Sequence, residues 1–184
     1  MRIVAGEARG RTLIAPKGLE TRPTADKIRE ALFSILMRET PGARVLDLFG
    51  GTGALALEAV SRGAQSAVIC DISQEAVRAI EKNVLTVTRG EGDVRVIKAD
   101  YRRALETLRG SRFSLVFLDP PYRMHEAYTN AVRFILDEDM LSEDGLIIAE
   151  HEKNAEIVWP EAAEMKNSRI YRDTQLDFLV RRVL

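Results

Sequence analysis

Residues 44–53 read RVLDLFGGTG, an apolar run that passes directly into three closely spaced glycines. Residues 54–60, ALALEAV, follow with side chains that favour a helix. A strand that leads through a glycine-rich loop into a helix brings the backbone close to a ligand at the carboxyl edge of a parallel sheet. This order therefore predicts the first unit of an α/β fold, with a ligand site above the loop.

Strand and helix patterns alternate along most of the chain. The predicted strands are 44–49, 66–70, 94–99, 113–118 and 145–150, and the helices between them run to 62 and over 73–87, 101–108 and 127–136. The chain ends on a predicted hairpin, 169–172 with 175–182, and begins on another, Arg2–Ala5 with Arg11–Ile14. Apolar spacing after Thr24, a suitable N-cap, predicts one more helix. Repeated strand–helix units predict a parallel sheet with helices on both faces. We divide the chain into an arm, 1–20, and one main domain, 21–184.

Composition excludes several classes of protein. The chain has 184 residues, a net charge of −1 and a hydrophobic fraction of 46%, which is enough for one core. A single cysteine, Cys70, and two separated histidines argue against a disulfide scaffold and against a Cys- or His-built metal site. No apolar run approaches the ~20 residues of a membrane span, and no signal peptide opens the chain. We expect a cytoplasmic, monomeric protein without a metal.

The net charge hides an asymmetry along the chain. Residues 1–46 carry nine Lys/Arg and five Asp/Glu, a balance of +4, which leaves −5 for the rest. A basic leading arm on an acidic body is typical of a protein that meets a polyanion with one face. Ordinary scatter of surface charge predicts the same count, so charge alone leaves both interpretations open.

Acidic residues follow the predicted strands at the ligand edge. The spacing is neither G-x-G-x-x-G nor a phosphate loop, and Asp47, just before the glycines, would repel a pyrophosphate but attract an ammonium group. Asp71 ends the second strand and suits ribose hydroxyls, and Asp100 with Tyr101 suits an adenine edge. Together they predict S-adenosylmethionine as the cofactor. The predicted cofactor-binding residues are Asp47, Phe49, Gly50, Gly51, Gly53, Asp71, Ile72, Asp100, Tyr101 and Asp119.

The fourth predicted strand ends in the sequence Asp119-Pro120-Pro121-Tyr122. The Asp119 carboxylate and the Pro120 carbonyl are two acceptors that can take both hydrogens of an exocyclic amino group. Tyr122 offers a flat surface on which a flipped base can stack. An amino nitrogen held in this way is placed to attack a methyl group, and positioning of this kind supplies about 7–11 kcal/mol. We therefore predict that these four residues form the catalytic site.

Three segments together resemble the RsmD family: residues 21–33 (TRPTADKIREALF), 46–53 and 59–64 (AVSRGA). This family comprises bacterial class I S-adenosylmethionine-dependent enzymes that methylate N2 of one guanine in 16S ribosomal RNA. The resemblance runs over nearly the whole chain. It implies a Rossmann-like, seven-stranded, mostly parallel sheet and an amino-terminal β-hairpin that grips RNA of the small ribosomal subunit. The residues that it implies for RNA binding are Arg2, Arg9, Arg11, Arg22, Thr24 and Arg29.

Two other functions share part of this pattern. DNA adenine-N6 methyltransferases also carry the Asp-Pro-Pro-Tyr sequence, but they usually need a target-recognition region for which 184 residues leave little room. A non-catalytic RNA-binding assembly factor would have no need of Asp47 or Asp119. Near the predicted site, we interpret His125 as a solvent-facing loop residue and Glu150 as structural.

Overall fold

The computed structural model describes residues 1–16, 23–121 and 123–183, and gives the backbone alone for 23–25. The strands are β1 (Arg44–Asp47), β2 (Ser66–Asp71), β3 (Asp93–Lys98), β4 (Phe113–Leu118), β5 (Leu141–Glu152), β6 (Ala163–Tyr171) and β7 (Thr174–Arg181). The helices are α1 (Pro23–Ile35), α2 (Ala54–Ser61), α3 (Gln74–Thr88), α4 (Tyr101–Thr107) and α5 (His125–Asp137). These strands form one seven-stranded sheet in the order β3-β2-β1-β4-β5-β7-β6.

The sheet has a parallel part and an antiparallel end. Neighbours from β3 to β5 pair in parallel, whereas β7 is antiparallel to both β5 and β6. The parallel part brings the carboxyl ends of its five strands to one edge, where the loops after them lie side by side. The predicted α/β fold, mostly parallel and closed by a hairpin, is confirmed.

Apolar side chains fill both faces of the sheet. Val45 and Phe117 pack on the face covered by α1, α2 and α3. Leu46 and Val116 pack on the opposite face against α4 and α5. Because successive residues of a strand point to opposite faces, Asp47 shares the face of Val45 and Phe117. The carboxyl end of that face is where the predicted site lies.

Helix starts follow local capping chemistry at two positions. The Ser73 hydroxyl accepts from an amide in the first turn of α3 at 3.3 Å, and the Asp100 carboxylate caps α4 in the same way. In contrast, α1 begins at Pro23, before the predicted N-cap Thr24. Proline suits a first helical position because its nitrogen has no hydrogen to satisfy. The helical backbone therefore starts before Thr24, whose side chain lies outside the described residues.

The amino-terminal arm, residues 1–16, is a shorter hairpin than the two strands predicted from the sequence. In the described chain it forms an isolated antiparallel bridge between Arg2 and Thr12. Its apolar side chains Ile3 and Leu13 are buried in the same cluster as α1 and α2. The arm therefore shares the core of the main domain, and the predicted boundary between the two lies outside the described residues.

Polar contacts hold the arm against α2. The fully buried Glu58 carboxylate accepts from the amides of Val4 at 2.8 Å and Ala5 at 3.0 Å. One turn later, the Ser61 hydroxyl accepts from the Ala8 amide at 2.9 Å and donates to the Ala5 carbonyl at 2.6 Å. Since α2 begins in the glycine-rich loop, one helix both anchors the arm and shapes the ligand site.

Replacing Ser61 with alanine is expected to lower the free energy of unfolding by about 1–3 kcal/mol, because the buried Ala8 amide then loses its acceptor. Urea unfolding followed by circular dichroism measures the change. Ser34→Ala is the matched control, since Ser34 is exposed and its hydroxyl donates only within α1, to the Glu30 carbonyl. Equal stability of the two variants would show that the Ser61 contact does not hold the arm.

Candidate active site

Acidic residues line the carboxyl edge of the parallel strands. Asp47 ends β1 and Asp71 ends β2, while Asp100 lies two residues after β3 and Asp119 directly follows β4. Glu150 lies near the end of β5. The strand order arranges them along the edge as Asp100, Asp71, Asp47, Asp119 and Glu150. The fold thus brings the four predicted acids together and adds a fifth.

The glycine-rich loop after β1 is tightly folded. The Gly50 amide donates to the Cys70 carbonyl at 2.7 Å, and the Gly53 amide donates to the Gly50 carbonyl at 2.6 Å. A Cβ on Gly50 would lie 2.5 Å from the Ile69 side chain, so a larger residue does not fit. At Gly51, where φ is +57°, a Cβ would meet nothing within 4 Å. The backbone is therefore open to a ligand at Gly51 and packed against β2 at Gly50.

Asp47 is a buried acid that forms no ion pair with any described residue. It is 2% exposed, and the Phe49 amide donates to its carboxylate at 3.3 Å. Burial, aided by repulsion from Asp71, raises the pKa of Asp47 to about 7, while the amides of Phe49 and Ala56 oppose this shift. A ligand that carries an ammonium group would supply the missing positive charge.

Asp71 and Asp100 are oriented by backbone amides. The Asp71 carboxylate accepts from the Gly51 amide at 2.9 Å and from the Ser73 amide at 2.8 Å. The Asp100 carboxylate accepts from two amides at the start of α4. A carboxylate has about four acceptor positions, so both acids can also accept from a ligand. Their predicted roles toward ribose and adenine remain predictions.

Aromatic and apolar side chains stand beside these acids. The rings of Phe49 and Tyr101 lie 5.5 Å apart, and the Arg102 guanidinium lies 5.1 Å from the centre of the Tyr101 ring. The buried Tyr101 hydroxyl has no hydrogen-bond partner among the described residues. Leaving such a group unpaired is costly, which fits a site completed by a polar ligand. Ile72, which follows β2, is 70% exposed and adds an apolar surface.

Asp119 lies just after β4 and is exposed on the open side of the site. Within the described chain no hydrogen bond or ion pair reaches its carboxylate. Desolvation by the surrounding protein, followed by repulsion from Glu150 and Asp47, raises its pKa well above the ordinary value. The residue is nevertheless exposed on its open side, so its desolvation is partial and the two neighbouring charges carry weight. This carboxylate is free to accept a donor from a substrate.

The turn after Asp119 is held by the start of α5. Pro120 is buried and Pro121 is exposed. The Pro121 carbonyl accepts from the Met124 amide at 2.8 Å, which ties the turn to the helix. Tyr122, the fourth predicted catalytic residue, lies outside the described residues. Among the described residues, the predicted catalytic role of this turn therefore depends on Asp119 and on the backbone direction that Pro120 and Pro121 impose.

Glu150, interpreted from the sequence as structural, lies at the same edge of the sheet as the four predicted acids. Its carbonyl accepts from the Tyr128 hydroxyl at 2.5 Å, but no hydrogen bond or ion pair from a described residue reaches its carboxylate. Burial raises the pKa of Glu150, although His151 opposes the shift. The available signal was its place at the end of the fifth predicted strand, because this strand pairs with β4, which Asp119 directly follows.

The arginines expected to bind RNA occupy different environments. Arg2 and Arg9 of the arm are exposed. Arg11 is half-buried and donates to the carbonyls of Thr86 at 2.5 Å and Val87 at 2.7 Å, at the end of α3. A guanidinium in this position satisfies free helix carbonyls. Arg22 and the side chain of Thr24, which complete the expected set with Arg29, lie outside the described residues.

Arg29 is buried in the protein, in contrast to the contact with RNA that was expected of it. It is 3% exposed, and its guanidinium donates to the Arg2 carbonyl at 2.5 Å and to the Asp26 carboxylate at 3.1 Å. Its Nε lies 3.6 Å from the Glu58 carboxylate. Arg29 therefore neutralises a buried acid and joins the arm to α1 and α2. This structural role replaces the expected contact with RNA.

Neither a metal-binding cluster nor a membrane-spanning helix occurs among the described residues. Across residues 1–16, 23–121 and 123–183, no group of three or more His, Cys, Asp or Glu side chains is placed to hold a metal ion. In the same part of the chain, no helix is both long and apolar enough to cross a membrane.

The arrangement of the sheet and its acids is that of a class I methyltransferase. Solved structures agree: the Escherichia coli protein yhhF superposes with a TM-score of 0.85 at 29% identity, over 100% of this chain and 99% of that chain. SMU.776, whose crystal structure contains SAH, superposes with a TM-score of 0.70 at 15% identity, over 86% of this chain and 50% of that chain. The second likeness concerns the fold alone.

Sequence comparison narrows this class to a family. The chain belongs to the family described as conserved hypothetical protein 95, whose model matches residues 1–180. A curated relative, Ribosomal RNA small subunit methyltransferase D of Escherichia coli, is 34% identical over 152 residues, which make up 83% of this chain and 75% of the relative. The resemblance inferred from residues 21–33, 46–53 and 59–64 is confirmed.

Proposed function

We propose that this protein methylates the exocyclic N2 of a guanine in 16S ribosomal RNA, with S-adenosylmethionine as the methyl donor. The observation that carries the proposal is the Asp119 carboxylate, which has no partner in the described chain and lies one strand away from Asp47. The Escherichia coli relative is named for methylation of small-subunit ribosomal RNA. Such a substrate places the activity in the cytoplasm, where small subunits assemble.

The acidic and aromatic residues at the carboxyl edge of the parallel strands suit the chemical groups of S-adenosylmethionine. Asp47 would meet its ammonium group, Asp71 its ribose hydroxyls, and Asp100 with Tyr101 its adenine. The open backbone at Gly51 and the unpaired Tyr101 hydroxyl support this assignment. When bound, the cofactor supplies an electrophilic methyl group on a sulfonium. The protein's part is to hold the target nitrogen in position beside it.

The target amino group would lie against the turn after β4. The Asp119 carboxylate and the Pro120 carbonyl each accept one amino hydrogen, which turns the nitrogen lone pair out of conjugation with the ring. Once methylated, the nitrogen carries one proton too many, and the Asp119 carboxylate can take it and release it to solvent. This chemistry needs no strong base, so positioning supplies most of the acceleration.

Methyl incorporation from labelled S-adenosylmethionine tests the proposed function. Ribosomal RNA and small subunits from a bacterial strain that lacks its own enzyme serve as substrates, with duplex DNA as the competing substrate. Mass spectrometry of the digested RNA is expected to show N2-methylguanosine at one position. Methylation of adenine in DNA, or RNA binding without any methyl transfer, would contradict the proposal and favour one of the two alternatives.

The exposed arginines of the arm are expected to contribute to RNA affinity. In the double variant Arg2→Ala/Arg9→Ala, the slope of log affinity against log salt should become shallower by about one for each lost phosphate contact. Filter binding at several salt concentrations measures this slope. Arg133→Ala is the control, because Arg133 is exposed on α5, on the opposite face of the sheet. A slope unchanged by the double variant would exclude the arm from the interface.

A further inference from the structure

Glu150 lies beside the catalytic Asp119 across the β4–β5 pair. The parallel register joins Phe117 to Ile148 and Leu118 to Ala149, so Asp119, one residue beyond the end of β4, comes alongside Glu150 of β5. Paired residues of neighbouring strands point to the same face of a sheet. That face is the one that carries Phe117 and Asp47. Both acids are therefore presented toward the same side of the site.

The surroundings of Glu150 do not explain it as a structural acid. Its backbone is fixed, because the Tyr128 hydroxyl donates to its carbonyl and β7 pairs with it at Leu176. Its carboxylate, however, neither caps a helix nor forms an ion pair within the described chain. His151 partly offsets its charge, but an acid placed next to Asp119 without an ion pair raises the free energy of the ligand-free protein. A group that donates hydrogen bonds to both acids would relieve this repulsion.

Guanine, the target base of the proposed reaction, can donate two such hydrogen bonds from one edge. Guanine presents its N1–H next to its 2-amino group, so two adjacent positions both donate. Flipped bases are read through this Watson–Crick edge. A purine that keeps the 2-amino group but has no hydrogen on N1 would instead turn a lone pair toward a carboxylate. Mismatched buried polar groups of this kind give enzymes strong discrimination.

We propose that the Glu150 carboxylate accepts a hydrogen bond from N1–H of the target guanine, next to the amino group held by Asp119, and thereby selects guanine. The inference rests on the proposed function and adds a specificity-determining residue to it. Repulsion from Glu150 also contributes to the raised pKa of Asp119, as expected for two acids that share one site. The role differs from the structural one that the sequence favoured.

Substitution of 2-aminopurine at the target position tests this inference, because this base keeps the 2-amino group and lacks the N1 hydrogen. Reconstituted small subunits that contain either base are methylated under kcat/KM conditions. The wild-type enzyme is expected to prefer guanine by about 10–100-fold, the factor typical of a hydrogen bond to a charged group. Glu150→Gln should reduce this preference by about ten-fold or more, because its amide can donate to the bare N1. Glu143→Gln, an exposed residue at the other end of β5, is the control and should keep the preference.

A binding measurement distinguishes a loss of specificity for guanine from a loss of turnover. If Glu150→Gln is too slow to assay, competition between the two RNAs in the presence of S-adenosylhomocysteine gives the same ratio without catalysis. A variant that keeps the wild-type preference in both measurements overturns the inference. A wild-type enzyme that methylates no guanine overturns the proposed function instead. A wild-type enzyme that methylates both bases equally well overturns the role of Glu150 alone.

Discussion

Replacing Asp119 with alanine is expected to lower the rate of RNA methylation by about 10²–10³-fold, the loss typical of removing one preorganised hydrogen-bond partner from an active site. In the proposed site, Asp119 accepts a hydrogen of the target amino group and so turns the nitrogen lone pair toward the methyl group. Without this contact the amino group stays conjugated with its ring, and its geometry for attack is lost. Single-turnover methylation measures the rate directly.

The variant Asp119→Asn separates hydrogen bonding from charge. Its amide oxygen still accepts a hydrogen bond, so we expect a rate between those of the wild type and the alanine variant. Calorimetric titration with S-adenosylhomocysteine reports whether either substitution damages the cofactor site. An alanine variant that methylates at the wild-type rate would contradict the role of Asp119. An asparagine variant as slow as alanine would show that the negative charge is what the reaction requires.

The strands of the parallel sheet were the most predictable elements, because each is a short apolar run between turn residues. The observed bounds of β4, Phe113–Leu118, are those that the sequence predicts. In contrast, β5 begins at Leu141, four residues before the predicted start. Leu141 is in register with Phe113 across the sheet. The start of a strand that is extended by pairing with its neighbour cannot be predicted from its own local sequence pattern.

Which charged residues are buried could not be predicted from local sequence. Arg29 and Glu58 lie in helices, where a charged residue is ordinarily assigned to the solvated face. They are buried because the arm folds back over α1 and α2, with Val4 donating to Glu58 over a separation of 54 residues. The proximity of Glu150 to Asp119 was not predictable for the same reason, because it depends on the pairing of β5 with β4. The other acids of the site could be predicted, because each lies at or just after the end of an apolar run that predicts a strand.

Asp47→Asn is expected to weaken binding of S-adenosylhomocysteine at pH 8 by about 10–100-fold, since it removes a charge-assisted contact worth about 1.5–3 kcal/mol. The wild-type affinity should itself depend on pH. With the pKa of Asp47 raised to about 7, the carboxylate is mostly ionised at pH 8 and mostly protonated at pH 6. A ligand ammonium binds the ionised form, so binding below pH 7 must first expel a proton. The affinity should therefore fall as the pH falls, approaching ten-fold per pH unit.

The pH profile distinguishes this role from a merely structural one. Asparagine does not titrate, so the difference in affinity between the wild type and Asp47→Asn should shrink as the pH falls from 8 to 6. Any titration of the ligand itself affects both proteins equally and cancels in the comparison. Asp137→Asn, an exposed residue at the end of α5, is the control and should follow the wild-type profile. If the two proteins instead differ by a constant factor across this range, Asp47 does not meet the ammonium group, and the buried acid must act through the fold of the glycine-rich loop.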